Sequence, residues 1–367
     1  MLTNAELIRY SRQIRLPELG IEGQERLRSA SVLVVGAGGL GSPVALYLAA
    51  AGVGRLGIVD DDRVELHNLH RQIAHGSSDV GRDKAASAAD AVQAINPGLE
   101  VVPVVARLDP GNAANVIADY DLIVDGSDNY ATRYAVNDAC ARIGKPWVYG
   151  SVEKYSGQVS LFGAPGGPCY RCVYPQAPDP GQSASCEEIG VLGAVPGVVG
   201  SLQAVEALKW LAGIGETLAG RLLQFDLRHG QWTTIQVEKR PDCVACGARF
   251  SDTRAGAPAP EPASVNVEPV ELARMLAAPD APVLIDVREQ WEWSVARIES
   301  AKLLPLGELE AAVPTLDRSK PMVIMCHSGV RSDMAAEWLR SKGFDARNLT
   351  GGIDRWSRDV DASVPRY

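Results

Sequence analysis

The sequence predicts an α/β protein made of two successive units, a doubly wound sheet followed by a smaller α/β unit. Three observations carry this expectation. Through residues 31–152, short apolar runs alternate with Ala-rich segments of helical spacing, the order that yields a parallel sheet with helices on both faces. One run, Val32–Val35, passes directly into Gly36-Ala37-Gly38-Gly39-Leu40-Gly41, a G-x-G-x-x-G turn between strand and helix that marks a Rossmann-like sheet. Finally, Ser251 to Pro269 reads SDTRAGAPAPEPASVNVEP, which buries too little apolar surface to offset its ordering entropy. It divides the chain into expected domains 1–250 and 270–367, joined by a flexible linker, 251–269.

In chain order, strands are expected at Ser31–Val35, Arg55–Val59, Glu100–Val105, Asp121–Val124 and around Pro146–Val152. Helices are expected at Leu40–Ala51, Lys84–Ile95, Gly111–Ala118 and Ala131–Ile143, then at Gly200–Leu211 after a glycine-rich loop. Leu222–Val237 reads as two antiparallel strands turning around Arg228–Gln231. In the second unit the pattern gives a helix at Val270–Ala277, strands at Val283–Val287 and Met322–Cys326, and a helix at Ser332–Lys342.

Composition narrows the function. Lys and Arg number 36 against 45 Asp and Glu, a net charge of −9, which argues against a nucleic-acid binder. No apolar run reaches the length of a membrane span, and the N-terminal residues lack the apolar core of a signal peptide, so a cytoplasmic protein is expected. Seven cysteines in such a chain do not suggest a disulfide framework.

The glycine turn lets backbone amides and a helix N-terminus approach phosphate oxygens, through Gly36, Gly38, Gly39 and Gly41. Asp60 ends the next apolar run, where a carboxylate can take a ribose hydroxyl. Alone, these describe an NAD-dependent oxidoreductase. The charges that follow do not fit one. Arg71 and Lys84 suit a triphosphate attacked at its α-phosphorus, where pyrophosphate leaves with growing negative charge. Asp125-Gly126-Ser127-Asp128-Asn129 closes another apolar run at the end where open sheets bind ligands, and Asp128 is placed to hold Mg²⁺.

Together with Arg9-Tyr10-Ser11-Arg12-Gln13-Ile14, Asn68-Leu69-His70-Arg71-Gln72 and Gly81–Lys84, these motifs make residues from Leu7 to about Phe250 resemble the E1-like (E1/ThiF-type) adenylyltransferases that activate ubiquitin-like sulfur carriers. The resemblance implies that Asp60 binds the ribose of ATP, that Asn68, Arg71 and Lys84 bind phosphates, and that Asp128 holds the Mg²⁺, with Asn129 also among the cofactor-binding residues. It also implies a homodimer in which Arg12 reaches the ATP of the opposite subunit, and a carrier protein ending in Gly-Gly as partner.

The cysteines sort by context. Cys169, Cys172, Cys243 and Cys246 form two C-x-x-C pairs and can close a tetrahedral, structural Zn²⁺ site. A thioredoxin-like redox pair is the rival, without that motif's context. Cys140 lies among apolar neighbours and reads as core. Cys186 sits in a Pro-, Ser- and Gly-rich stretch. Glu187 and Glu188 beside it should raise its pKa, and relatives place there a cysteine proposed to link covalently to the carrier.

Cys326 follows an apolar strand and opens Cys326-His327-Ser328-Gly329-Val330-Arg331 before a helix. Loop amides, the helix N-terminus and Arg331 should all stabilise a thiolate or an anionic persulfide. A cysteine phosphatase is the rival, but that family carries a longer loop between its Cys and Arg. With Leu284–Glu289, Trp291-Glu292-Trp293 and Leu349–Ile353, residues 267–367 resemble a rhodanese domain. Two positions depart from that family: Ala296-Arg297 replaces its usual Gly-His, and His327 stands where Arg is common.

The joint expectation is ATP-dependent adenylation of a carrier's C-terminal glycine. Sulfur transfer from a Cys326 persulfide, loaded by thiosulfate or a cysteine desulfurase, would follow to give a thiocarboxylate. The alternatives are an NAD-dependent oxidoreductase with an appended sulfurtransferase, and a carrier-binding scaffold without catalysis.

Overall fold

In the computed structural model, eight strands form one sheet in the order β3-β2-β1-β4-β5-β6-β7-β8. They are β1 (Ser31–Val35), β2 (Arg55–Val59), β3 (Glu100–Val104), β4 (Leu122–Asp125), β5 (Trp147–Glu153), β6 (Ser156–Phe162), β7 (Arg221–Asp226) and β8 (Gln231–Gln236). The structure describes residues 1–177, 190–247, 265–279 and 281–367. Cys186 and most of the expected linker lie outside them. The chain divides into two units.

In the first unit β1 to β5 run parallel, and β1 to β4 alternate with helices as expected. Strands β5 to β8 are antiparallel, so the sheet is mixed. Strand β6 was not anticipated: its Ser, Gly and Gln residues break the apolar pattern, and the turn before it uses a positive φ at Lys154. The expected pair around Arg228–Gln231 is present as β7 and β8. Both faces of the sheet carry apolar cores, one centred on Val32, Val34, Leu48 and Ile58, the other on Leu33, Ile123, Trp147 and Cys140.

The helix expected at Gly200 begins earlier and spans Ala194–Ala212, absorbing the residues read as a glycine-rich loop. Close packing explains the glycine. A Cβ at Gly200 would stand 2.5 Å from the Leu40 carbonyl oxygen, so the helix lies directly on the start of helix Gly41–Ala51.

The second unit is a five-stranded parallel sheet, β11-β10-β12-β13-β9. Its strands are β9 (Asn266–Val267), β10 (Val283–Asp286), β11 (Lys302–Leu303), β12 (Met322–Met325) and β13 (Ala346–Leu349). Strand β9 falls within the stretch read as linker; it pairs with β13, and helix Pro269–Leu276 follows with Pro in its first turn. Strand β12 is fully buried and aims its C-terminal end at the Cys326 loop.

Candidate functional site

The glycine turn sits at the C-terminal end of β1, beside the C-terminal end of the neighbouring parallel strand β4. Gly36 has a φ of +86°, and a Cβ there would meet the Gly126 carbonyl oxygen at 2.9 Å. A Cβ at Gly41 would collide with the Gly36 oxygen at 1.7 Å. These two glycines are required by backbone contact. Gly38 and Gly39 differ: a Cβ at Gly38 meets only Gln72 Nε2, at 3.7 Å, and one at Gly39 would meet Pro196 at 3.0 Å and Arg71 Cγ at 3.6 Å. Arg71 and Gln72 therefore stand over the two central glycines.

The peptide of Ala37 is held from both sides. Its amide donates to Asp60 Oδ2 at 2.7 Å, and His75 Nε2 lies 2.9 Å from its carbonyl oxygen. The other His75 nitrogen lies 2.9 Å from Ser87 Oγ in helix Lys84–Ile95. Asp60 Oδ1 also accepts from the Asp62 amide, so this residue shapes the loop besides offering a carboxylate. Burial raises the Asp60 pKa above its usual value, with Lys84 and the two amides only partly opposing.

Lys84 is buried and pairs with Asp62 Oδ2 at 2.9 Å, a partner the sequence reading did not nominate. Burial pulls its pKa down, but Asp60, Asp62 and Asp128 outweigh burial and raise it, so it stays a cation. Arg71 donates to the His67 carbonyl and lies 2.8 Å from His70 Nε2, with no carboxylate partner among the described residues. Burial and then Arg71 lower the His70 pKa, which leaves that nitrogen as an acceptor. A cation without a counter-charge beside open glycine amides is an anion site.

Asp128 is exposed, whereas Asn68 is buried and its Oδ1 accepts from the Glu65 amide at 3.2 Å. Asn129 caps helix Tyr130–Ile143, accepting from the Thr132 amide at 2.9 Å. The loop between them rests on a buried pair. Asp125 and Arg133 lie 3.5 Å apart, and Arg133 donates to the Ser127 carbonyl at 3.2 Å. Arg12 is exposed on the short helix Ser11–Ile14. Its neighbour Gln13 fixes that helix by donating to the Ala51 carbonyl at 2.7 Å.

Cys169, Cys172, Cys243 and Cys246 converge, with all four sulfurs within 4.8 Å of one another. The hydrogen-bond-range separations are 3.5, 3.6 and 3.9 Å, far too long for a disulfide. They match the edges of a tetrahedron with Zn–S bonds of about 2.3 Å, which are about 3.8 Å long. The four cysteines form no disulfide in this structure, and as a four-thiolate set they fit Zn²⁺. Cys140 is fully buried, which pushes its thiol pKa up, as a core residue requires.

In the second unit Cys326 follows β12 and is fully buried. Its sulfur accepts from the Gly329 amide at 3.1 Å and lies 3.3 Å from Ser332 Oγ, while Gly329 takes a φ of +102°. Gly352 packs against the loop carbonyls, at 2.4 Å from both Cys326 and His327 oxygens for an added Cβ. Arg331, expected to add positive potential at this sulfur, also pairs bidentately with Glu292, at 2.7 and 2.8 Å. Loop amides and the start of helix Val330–Ser341 face the same sulfur. Tyr367 completes this wall, its hydroxyl donating to Glu292 at 3.1 Å and its ring 4.7 Å from that of His327. Sequence spacing carried no sign of either contact.

A glycine cradle beside Arg71, which has no carboxylate partner among the described residues, and an amide-wrapped cysteine in the other unit define a nucleotide-handling, sulfur-handling protein. The ThiF family matches residues 10–245 and the rhodanese-like domain residues 268–359. The chain is 43% identical over 383 residues to the probable adenylyltransferase/sulfurtransferase MoeZ of Mycobacterium tuberculosis, covering 100% of this chain and 96% of that one. It is 40% identical over 403 residues to the adenylyltransferase and sulfurtransferase MOCS3 of Sus scrofa, covering 100% and 89%. Among solved structures, Escherichia coli MccB with ATP shares the fold at a TM-score of 0.58 and 21% identity, over 65% of this chain and 73% of that one. The chain belongs to the ThiF family, in the group of adenylyltransferase and sulfurtransferase enzymes that carry a rhodanese-like domain.

Proposed function

We propose that the first unit adenylates the C-terminal glycine of a ubiquitin-like sulfur carrier and that Cys326 then delivers sulfur to it. The observation that carries this reading is the pairing, in one chain, of the Gly38–Gly39 cradle under Arg71 with the amide-wrapped sulfur of Cys326. ATP lies with its phosphates over the cradle and its ribose toward Asp60. The carrier carboxylate attacks the α-phosphorus and pyrophosphate leaves, its charge met by Arg71, Lys84 and Arg12 of a second subunit, with Asn68 at the phosphates. Asp128, an exposed oxygen donor in the field of Lys84, fits a Mg²⁺ ion that would offset phosphate charge, with Asn129 beside it.

The acyl-adenylate is then attacked by the terminal sulfur of a Cys326 persulfide, and AMP leaves. A thiol reductant then attacks the Cys326 sulfur, releasing the thiocarboxylate and leaving a disulfide on Cys326 that a second equivalent of thiol reduces; Cys186 is the candidate for a covalent link to the acyl group on the way. Thiosulfate or a cysteine desulfurase loads the persulfide. Zn²⁺ on the four cysteines would be structural, since a closed four-thiolate site leaves no position for substrate. The linker 251–269 between domains 1–250 and 270–367 would keep the persulfide at high effective concentration near the adenylate. No helix among the described residues is long and apolar enough to cross a membrane, in keeping with a cytoplasmic enzyme.

Carrier-dependent ATP–pyrophosphate exchange tests the reading. Exchange should appear with a carrier ending in Gly-Gly and vanish when that terminus is removed. No exchange across a panel of such carriers would sink it.

A further inference from the structure

Gln72 closes the Asn68–Gln72 turn, and the sequence motifs give its side chain no task. The structure sets it in an unusual position. It is 4% exposed, yet its Oε1 has no hydrogen-bond partner. Its Nε2 faces the glycine loop, 3.7 Å from where a Cβ of Gly38 would stand. Its backbone is fixed, the amide donating to the Asn68 carbonyl at 3.0 Å while its own carbonyl accepts from the His75 amide at 3.1 Å. The side chain is thus presented on a rigid turn, next to Arg71 over Gly39, with its polar end unsatisfied. The Oε1 end makes no bond, and no hydrogen bond among the described residues engages Nε2, so this donor is left for an acceptor lodged over Gly38.

We propose that Gln72 is a nucleotide contact, its Nε2 donating to an ATP phosphate oxygen lodged over Gly38 while Arg71 takes the neighbouring oxygens over Gly39. This rests on the adenylation reading and names a recognition residue within it. Glutamine suits the position because it donates without adding charge. Asp60, Asp62 and Asp128 already act on the buried cation Lys84. A carboxylate at position 72 would repel the phosphate, and an apolar side chain of similar length would leave it one donor short.

The test compares full-length protein with Gln72→Met and Gln72→Glu, reading ATP-induced thermal stabilisation and carrier-dependent ATP–pyrophosphate exchange. Gln72→Met removes no hydrogen bond within the protein, so its melting temperature without ATP should stay at the wild-type value or rise. Its kcat/KM for ATP should drop about ten- to a hundredfold, with the ATP-induced shift reduced to match. Gln72→Glu should lose more. Thiosulfate:cyanide sulfurtransfer, a property of the other unit, should be unchanged in both. An unaltered ATP-induced shift and unaltered kcat/KM in Gln72→Met would overturn the proposal, as would a loss of stability without ATP and nothing else. Absence of exchange in the wild type marks failure of the adenylation reading instead. In that event the ATP-induced shift alone still decides whether Gln72 meets the nucleotide.

Discussion

Replacing Glu292 by Gln should destabilise the rhodanese-like unit more than any exposed substitution near Cys326. The carboxylate is 5% exposed and holds Arg331, itself 19% exposed, through two bonds of 2.7 and 2.8 Å. Removing one partner of such a buried pair costs about 3–5 kcal/mol because the other charge is stranded. Gln keeps one acceptor, which favours the lower end, about 3 kcal/mol. For a unit of this size that corresponds to a fall of roughly 12–24 °C in its transition, measured by calorimetry on the full chain. Burial raises the Glu292 pKa, but the Arg331 pair, the Glu289 amide and the Tyr367 hydroxyl outweigh it and hold the pKa below its ordinary value. A carboxylate depressed in this way contributes stability that is fully present above its unfolded pKa of about 4.3 and is lost as pH falls through the folded value. The gap between wild type and Glu292→Gln should therefore be widest near neutrality and close below about pH 4. Replacing both partners with Leu should cost far less than the single change. A Glu292→Gln protein melting within about 4 °C of wild type at neutral pH would show that the pair is not the support described here.

Three further outcomes are expected. Gly41→Ala places a methyl 1.7 Å from the Gly36 oxygen, so ATP–pyrophosphate exchange should be lost while thiosulfate:cyanide sulfurtransfer persists. Cys243→Ser should lower bound zinc well below one ion per chain, measured by elemental analysis, and should lower the melting temperature of the first unit; unchanged zinc content would rule out the four-sulfur site. Cys326→Ala should abolish sulfurtransfer and spare exchange, and loss of exchange would mean that the division of labour is wrong.

Much of the site was legible because its chemistry is written locally. The turn Gly36–Gly41 follows directly from a strand-to-helix junction, and the pairs Cys169/Cys172 and Cys243/Cys246 each carry their spacing within four residues. The Cys326 loop is equally compact. Hidden from view were contacts between side chains remote in sequence: Glu292 on Arg331, and Tyr367 against His327. A periodicity reading has no means of pairing charges that the chain brings together only after folding.

The same division holds for the fold. Sequence alone determined the parallel half of the first sheet and the residue types of the nucleotide and sulfur sites, since apolar period and glycine placement act over a few residues. Only the tertiary structure decided which groups are spoken for. Gly36 and Gly41 are consumed by backbone contact and Arg331 is paired with Glu292, whereas Arg71 has no carboxylate partner among the described residues and the Gln72 Oε1 is left unpaired. Whether a charge or a donor is free to meet substrate depends on what is packed against it, and packing is a property of the folded chain rather than of its order.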